Sequence, residues 1–264
     1  MPYRILVVVS ILLGCVAARP AIAETAADPA ADSAVIELPA ADRAALEKYL
    51  GDGVVGKAVP GNPIADAPKF FAFEDGTWEY RFTGGDAKGT SQDQSFKKLD
   101  RDATGTKGRY QNGPDTIYFL HQDADGSVSM TAEQDTDEGV ISRFSPPQPF
   151  YVAGMQPGES KQTTIDVKVY DLKDLEDVSH TGSLNLTYSY IGAYEVTVPA
   201  GTFEAALVKW VFEGKVGPAS VDDTQYRLMA NGPGAVALVD RRNISALLIY
   251  HDTSQIGKVL VGRK

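Results

Sequence analysis

From about Lys69 onward the chain alternates apolar and polar residues with a period of two. Trp78, Tyr80 and Phe82 are separated by Glu79 and Arg81, and Ile165, Val167 and Val169 by Asp166 and Lys168. Leu184, Leu186, Tyr188 and Tyr190 form the longest such series, and Val128-Met130-Ala132, Tyr194-Val196-Val198 and Tyr226-Leu228 repeat the pattern more briefly. Alternation of this kind predicts half-buried strands, one face on a core and one in water. Turn signals separate them: Asn112-Gly113-Pro114, Asp125-Gly126, Glu138-Gly139, Pro157-Gly158, Ala200-Gly201 and Gly232-Pro233-Gly234. Roughly a dozen strands with no long helix between them predict an all-β, mainly antiparallel fold. A sandwich, an open barrel and one large curved sheet all satisfy the pattern.

Helical spacing occurs once. Ala41, Ala44, Leu46 and Leu50 give Ala40 to Leu50 an approximately helical apolar spacing, and Gly51 stands where a helix stop is expected. Gly51 to Pro68 is rich in Gly and Pro and is expected to be loop. Ile117 to Leu120, Phe203 to Phe212 and Ala246 to Tyr250 are apolar on both faces, which predicts strands covered on both sides.

The N-terminus has another logic. Met1-Pro2-Tyr3-Arg4 is a basic start, Ile5 to Gly14 is an apolar run, and Ala21-Ile22-Ala23 precedes Glu24. That order predicts a secretory signal peptide cleaved after Ala23. The apolar run is shorter than the roughly 20 residues of a membrane-spanning helix, and no later segment is apolar enough to span. Leu12-Leu13-Gly14-Cys15 offers a competing reading, a lipobox that would anchor the chain through lipid on Cys15. The expected organisation is therefore signal peptide (1–23), a flexible acidic stretch with the short helix and loop (24–68), and a β-domain (69–264). The product is periplasmic or secreted, or in the alternative reading lipid-anchored in the envelope.

Composition narrows the chemistry. Cys15 is the sole cysteine of the 264 residues, so disulfides, thiolate metal sites and a cysteine nucleophile are not expected in the mature chain. The net charge is −10, and the leader removes Arg4 and Arg19 but no acid. An acidic surface without basic runs argues against nucleic acid and anionic headgroups. Gly51-Asp52-Gly53-Val54-Val55-Gly56 matches a dinucleotide fingerprint but follows a helix and runs into Pro60, the wrong setting for phosphate. Asp123 to Gly126 and Asp135 to Gly139 lack the later ligands of a calcium loop and read as hairpin turns. No cofactor or metal is expected. The histidines, His121, His180 and His251, are dispersed. His121 near Asp123 and His251 beside Asp252 are the weak candidates for a catalytic His–carboxylate pair, and no GxSxG elbow accompanies them. The sequons at Asn185 and Asn243 matter only in a eukaryotic secretory pathway, which the leader does not suggest.

Tyr194 to Ala205 (YEVTVPAGTFEA), followed by Val208-Lys209-Trp210, resembles a hairpin of uncharacterised bacterial periplasmic β-proteins that carry a V-P-A-G-T-F-x-A turn and, further on, a proline–glycine turn. Gly232-Pro233-Gly234-Ala235-Val236 stands as that second element, with Ala230 in place of the family's aromatic and Val236 in place of its second glycine. The resemblance implies an exported, mostly β protein.

Together these patterns point to an exported, non-catalytic envelope protein. It is expected to bind a lipid or other amphipathic molecule, or an envelope protein partner, on its sheet. Trp78, Tyr80, Tyr188, Tyr190, Trp210 and Phe212 are the expected ligand walls, because aromatic rings on alternating positions supply broad apolar contact with polar edges. The alternatives are a hydrolase or isomerase built on a His–carboxylate pair, and a structural or assembly lipoprotein anchored through Cys15.

Overall fold

The structure, a computed structural model, describes residues 35–62, 64, 73–102, 105–246 and 250–264; the side chains of 101, 102, 246 and 250–252 are outside that description. The leader, Cys15 and the acidic stretch up to residue 34 also lie outside the described residues.

One helix, α1 (Ala40–Leu50), precedes β1 (Val55–Val59) and β2 (Gly76–Gly84). The chain continues through β3 (Ser91–Asp102), β4 (Gly105–Asn112), β5 (Thr116–Gln122), β6 (Val128–Asp135), β7 (Val140–Tyr151) and β8 (Ser160–Asp171). The longest strand, β9 (Asp174–Val198), leads to β10 (Gly201–Val216), β11 (Ala219–Ala230), β12 (Gly234–Ala246) and β13 (Tyr250–Arg263).

The fold is the expected all-β one, and it closes. Strands β2 to β13 pair antiparallel with their sequence neighbours, and β13 pairs with β2 to complete a twelve-strand barrel. Closure leaves those strands no free edge for intermolecular pairing. The length of β9 makes room for one more strand. Its first part holds β8, from Asp171↔Asp174 to Ser160↔Ser189, and β1 takes the remainder at Val59↔Ala193 and Val55↔Val196. This corrects the loop expected from Gly51 to Pro68. Val55–Val59 is too short to show a period of its own, and an edge already waiting on β9 makes it a strand.

Helix α1 has the expected bounds. Gly51 leaves it at φ 98, with its N–H donating to the Glu47 carbonyl at 2.9 Å. Its buried side buries Leu46, Tyr49 and Leu50 on the outside of the barrel, about 1.5–3 kcal/mol for each large side chain covered. The outer row beneath it runs Lys209, Tyr226, Val239, Gly257, Gly84, successive cross-strand partners on β10 to β13 and β2. The row explains the docking. At one end Asp42 accepts from Tyr226 Oη at 2.8 Å and Lys209 Nζ at 2.7 Å. At the other, Gly257 and Gly84 let the helix backbone touch the sheet, and a Cβ on either would collide with the Tyr49 carbonyl. Of Phe203 to Phe212, expected to be covered on both faces, only Ala205 to Val208 are buried on both; Glu204 is exposed, and Phe203, Lys209 and Val211 are half-buried on the outer face.

Candidate functional site: a filled lumen and an end groove

Residues directly opposite in an antiparallel ladder share a face, so the registers show what fills the barrel. One inward row reads Leu186, Phe212, Asp223, Arg242, Ser254. The next reads Tyr188, Trp210, Gln225, Asp240, Ile256, and the third Tyr190, Val208, Arg227, Leu238, Lys258, Phe82. From the opposite wall come Phe96, Tyr110, Tyr118 and Glu133 in one row and Trp78, Gln94, Asn112, Thr116 and Asp135 in another.

Of the six aromatic residues expected to wall a ligand site, Tyr80, Tyr188, Tyr190, Trp210 and Phe212 pack inside the lumen, and Trp78 stands at its proximal mouth. Trp210 lies with its ring centroid 6.0 Å from Tyr188 and 5.3 Å from Phe150. The Arg227 guanidinium caps both rings, 4.6 Å from Trp210 and 5.1 Å from Phe150. Tyr80 Oη donates to the Ala235 carbonyl at 2.6 Å and Tyr190 Oη to that of Asn62 at 3.1 Å. Two small spaces of about 20 Å³ each lie there, one among Gln94, Asn112, Tyr118, Asp240 and Lys258 and one among Tyr80, Tyr110 and Arg227, each with room for a single water. These voids leave no room for an apolar ligand of ordinary size.

The lumen differs from wall to wall. Its β7–β10 side is apolar and aromatic, as is its proximal end beneath the β9–β10 and β11–β12 turns. The β11–β13 side, toward the distal end, holds charge. Asp223 receives a hydrogen bond from Gln225 Nε2 at 2.6 Å on one carboxyl oxygen, while its Oδ1 has no donor among the described residues. Asp240, across the β11–β12 ladder and one pair removed, lies within hydrogen-bonding reach of Asp223, and its Oδ1 likewise has no protein donor. Burial raises both carboxyls, Asp223 to about 8, with the neighbouring Asp240 charge adding to it and Gln225 and Arg242 opposing. Glu133, on the far wall, is pushed up to about 7, again mainly by burial, with Arg242 pulling down and Asp240 and Asp135 pushing up. Glu133 and Asp240 keep partial contact with water. Lys258 donates to Gln92 Oε1 and, at 3.4 Å, to Asn112 Oδ1; burial and Arg227 bring it down to about 8.

Sequence reading missed this cluster. The alternation Asp223-Gln225-Arg227 and its complement Asp240-Arg242 were visible, but polar residues on alternating positions are normally assigned to the wet face. Only closure of the barrel turns that face inward.

The histidines take three different positions. On β5, His121 Nε2 lies 3.4 Å from Asp123 Oδ1, and Ser129 Oγ is 3.4 Å from the other oxygen of that carboxylate. The carboxylate sits between imidazole and hydroxyl, the wrong order for activating a serine. His251 and Asp252 stand opposite Ser245 and Ile244 on β12, and their side chains lie outside the described residues. His180 is exposed on β9. Both acidic turns are hairpin turns: Asp125 Oδ1 accepts from the Ser127 N–H at 2.9 Å, and Asp135 Oδ1 from those of Asp137 and Glu138 at 3.0 and 2.9 Å. Among the described residues, no three His, Cys, Asp or Glu side chains are grouped to hold a metal ion, and no helix is long and apolar enough to cross a membrane.

A concavity of ligand size lies outside the lumen, at its proximal end. This groove of about 620 Å³ is walled by Trp78, Phe203, Leu260 and Val261 and by the turns at Pro199-Ala200 and Gly232-Pro233. The Ala200 N–H donates to the Leu260 carbonyl at 3.2 Å, tying the β9–β10 turn to β13. At the rim Arg263 donates to Glu74 Oε1 at 2.8 Å and to the Asp75 carbonyl at 2.9 Å, its guanidinium 5.4 Å from the Trp78 ring centroid. Both turns of the hairpin resemblance thus meet here, and Trp78 is the expected wall residue that borders the groove.

No family model matches the chain, and no curated protein matches it. Two solved structures are similar in backbone course. A Bacteroides fragilis chain described as an exported protein with a YmcC-like fold is 14% identical, with a TM-score of 0.43, over 74% of this chain and 98% of its own. A Parabacteroides distasonis chain described as a lipoprotein is 16% identical, with a TM-score of 0.36 over the same shares.

Proposed function

We propose that this is an exported, non-catalytic envelope protein that binds an amphipathic molecule in the proximal groove rather than inside the barrel. The observation carrying this reading is the contrast in free volume: about 620 Å³ at the groove against about 20 Å³ for each lumen void. Ligand sites typically offer roughly 300–1,000 Å³ with mostly apolar walls and a few placed polar groups. The groove has that make-up, with Trp78, Phe203, Leu260 and Val261 along it and the Arg263–Glu74 pair at one rim. An acyl or other apolar portion fits the walls, and a polar end fits the rim. The leader ending at Ala23 supports export.

The chain has two tryptophans, one bordering the groove and one in the lumen. A Trp210→Phe protein therefore reports from Trp78 alone. Titrating it with a lysophospholipid below its micelle concentration should shift Trp78 emission saturably, and Val261→Asp in the same background should abolish the shift. Unchanged emission, or a shift that survives Val261→Asp, overturns the groove as the site.

A further inference from the structure

Two buried carboxyl groups facing each other are costly unless a proton lies between them, since like charges at contact cannot both ionise in a poorly solvated site. Asp223 is 6% exposed, and it and Asp240 each present an oxygen to which no N–H or O–H among the described residues donates. A shared proton supplies the missing donor. Glu133 reaches the same cluster from β6 and senses Arg242, Asp240 and Arg227. We propose that the charged side of the lumen is a proton-binding site: Asp223, Asp240 and Glu133 hold protons in the closed barrel, and losing them loosens the distal end of β11 and β12.

The groups around the cluster set the sign. Arg227 and Arg242 enter from β11 and β12, and Lys258 from β13. Gln92 and Gln94 come from β3, Asn112 from β4, Tyr118 from β5, Asp135 from β6 and Tyr80 from β2. The nearby wall from β8 to β10 presents Ile165, Leu184, Leu186, Tyr188, Trp210 and Phe212, with Tyr188 raised by burial. For the three carboxyl groups, the folded chain binds protons more tightly than the unfolded one. Their contribution to stability is complete below the ordinary carboxylate range near 4 and is lost as pH rises to about 8. Lys258 acts oppositely: its burial weighs most below about 8 and is relieved at higher pH. The cluster therefore makes the barrel least stable near pH 8 and firmer toward pH 5.

The test follows the melting temperature of the full chain from pH 5 to pH 9, with Glu133→Gln/Asp223→Asn beside it. Asp222→Asn, exposed on the same strand, is the control. The wild type and the control should lose stability between pH 5 and pH 8, and the double variant should lose most of that slope. Equal slopes in wild type and double variant, or a flat wild type, overturn the proposal. Should the double variant fail to fold, carbon NMR titration of the wild-type Asp223 carboxyl decides: a midpoint near neutral pH is expected, and one near 4 overturns it.

Discussion

The two sides of the lumen share one barrel and solve opposite problems. On the β7–β10 side, Trp210, Tyr188, Phe150 and Val208 interdigitate and remove apolar surface from water. On the other, Asp223, Asp240, Glu133 and Lys258 bring charge into the same narrow space beside Arg242, and desolvation works against each of the four. Arg227 joins the two sides, its guanidinium on the Trp210 and Phe150 rings and its hydrogen bond on Gln225 Oε1 at 3.3 Å. The separation by wall leaves packing to one side and the burden of buried charge to the other.

Breaking the aromatic side should cost most. Trp210→Ala removes a ring that is 2% exposed and leaves a cavity its neighbours cannot fill, an expected loss of about 4 kcal/mol in chemical denaturation. Next comes the outer clamp, which belongs to neither side. Asp42→Ala strips the acceptor from Tyr226 and Lys209 and should cost about 2 kcal/mol, with the wild-type dependence on pH retained. On the charged side the sign reverses: at pH 8 Asp223→Asn should raise the melting temperature by about 3 °C, because it removes a charge whose burial is unfavourable. Smallest is Val261→Asp at the groove, which should shift stability by no more than about 0.5 kcal/mol while removing ligand, so fold and binding separate cleanly.

Much of the fold was legible because local periodicity carried it. The series from Leu184 to Tyr190 and the helix ended by Gly51 both formed where the pattern placed them. Closure was not legible, since pairing β13 with β2 joins Arg263 to Trp78 across nearly the whole described chain and no local signal announces it. The short β1 was hidden for a related reason: its partner edge exists only because β9 runs past the end of β8. The aromatic residues were correctly read as buried-face positions, but periodicity does not distinguish a wall from a filling. The groove depends on two turns, Pro199-Ala200 and Gly232-Pro233, that come together only once the barrel is closed.

Native mass spectrometry of the protein purified from its own envelope, in wild type and in Val261→Asp, decides whether this filled barrel carries its ligand outside the lumen, at the proximal groove. The wild type should carry one amphipathic molecule at fixed stoichiometry and the variant none. An empty wild type, or a variant that keeps its ligand, would contradict that placement.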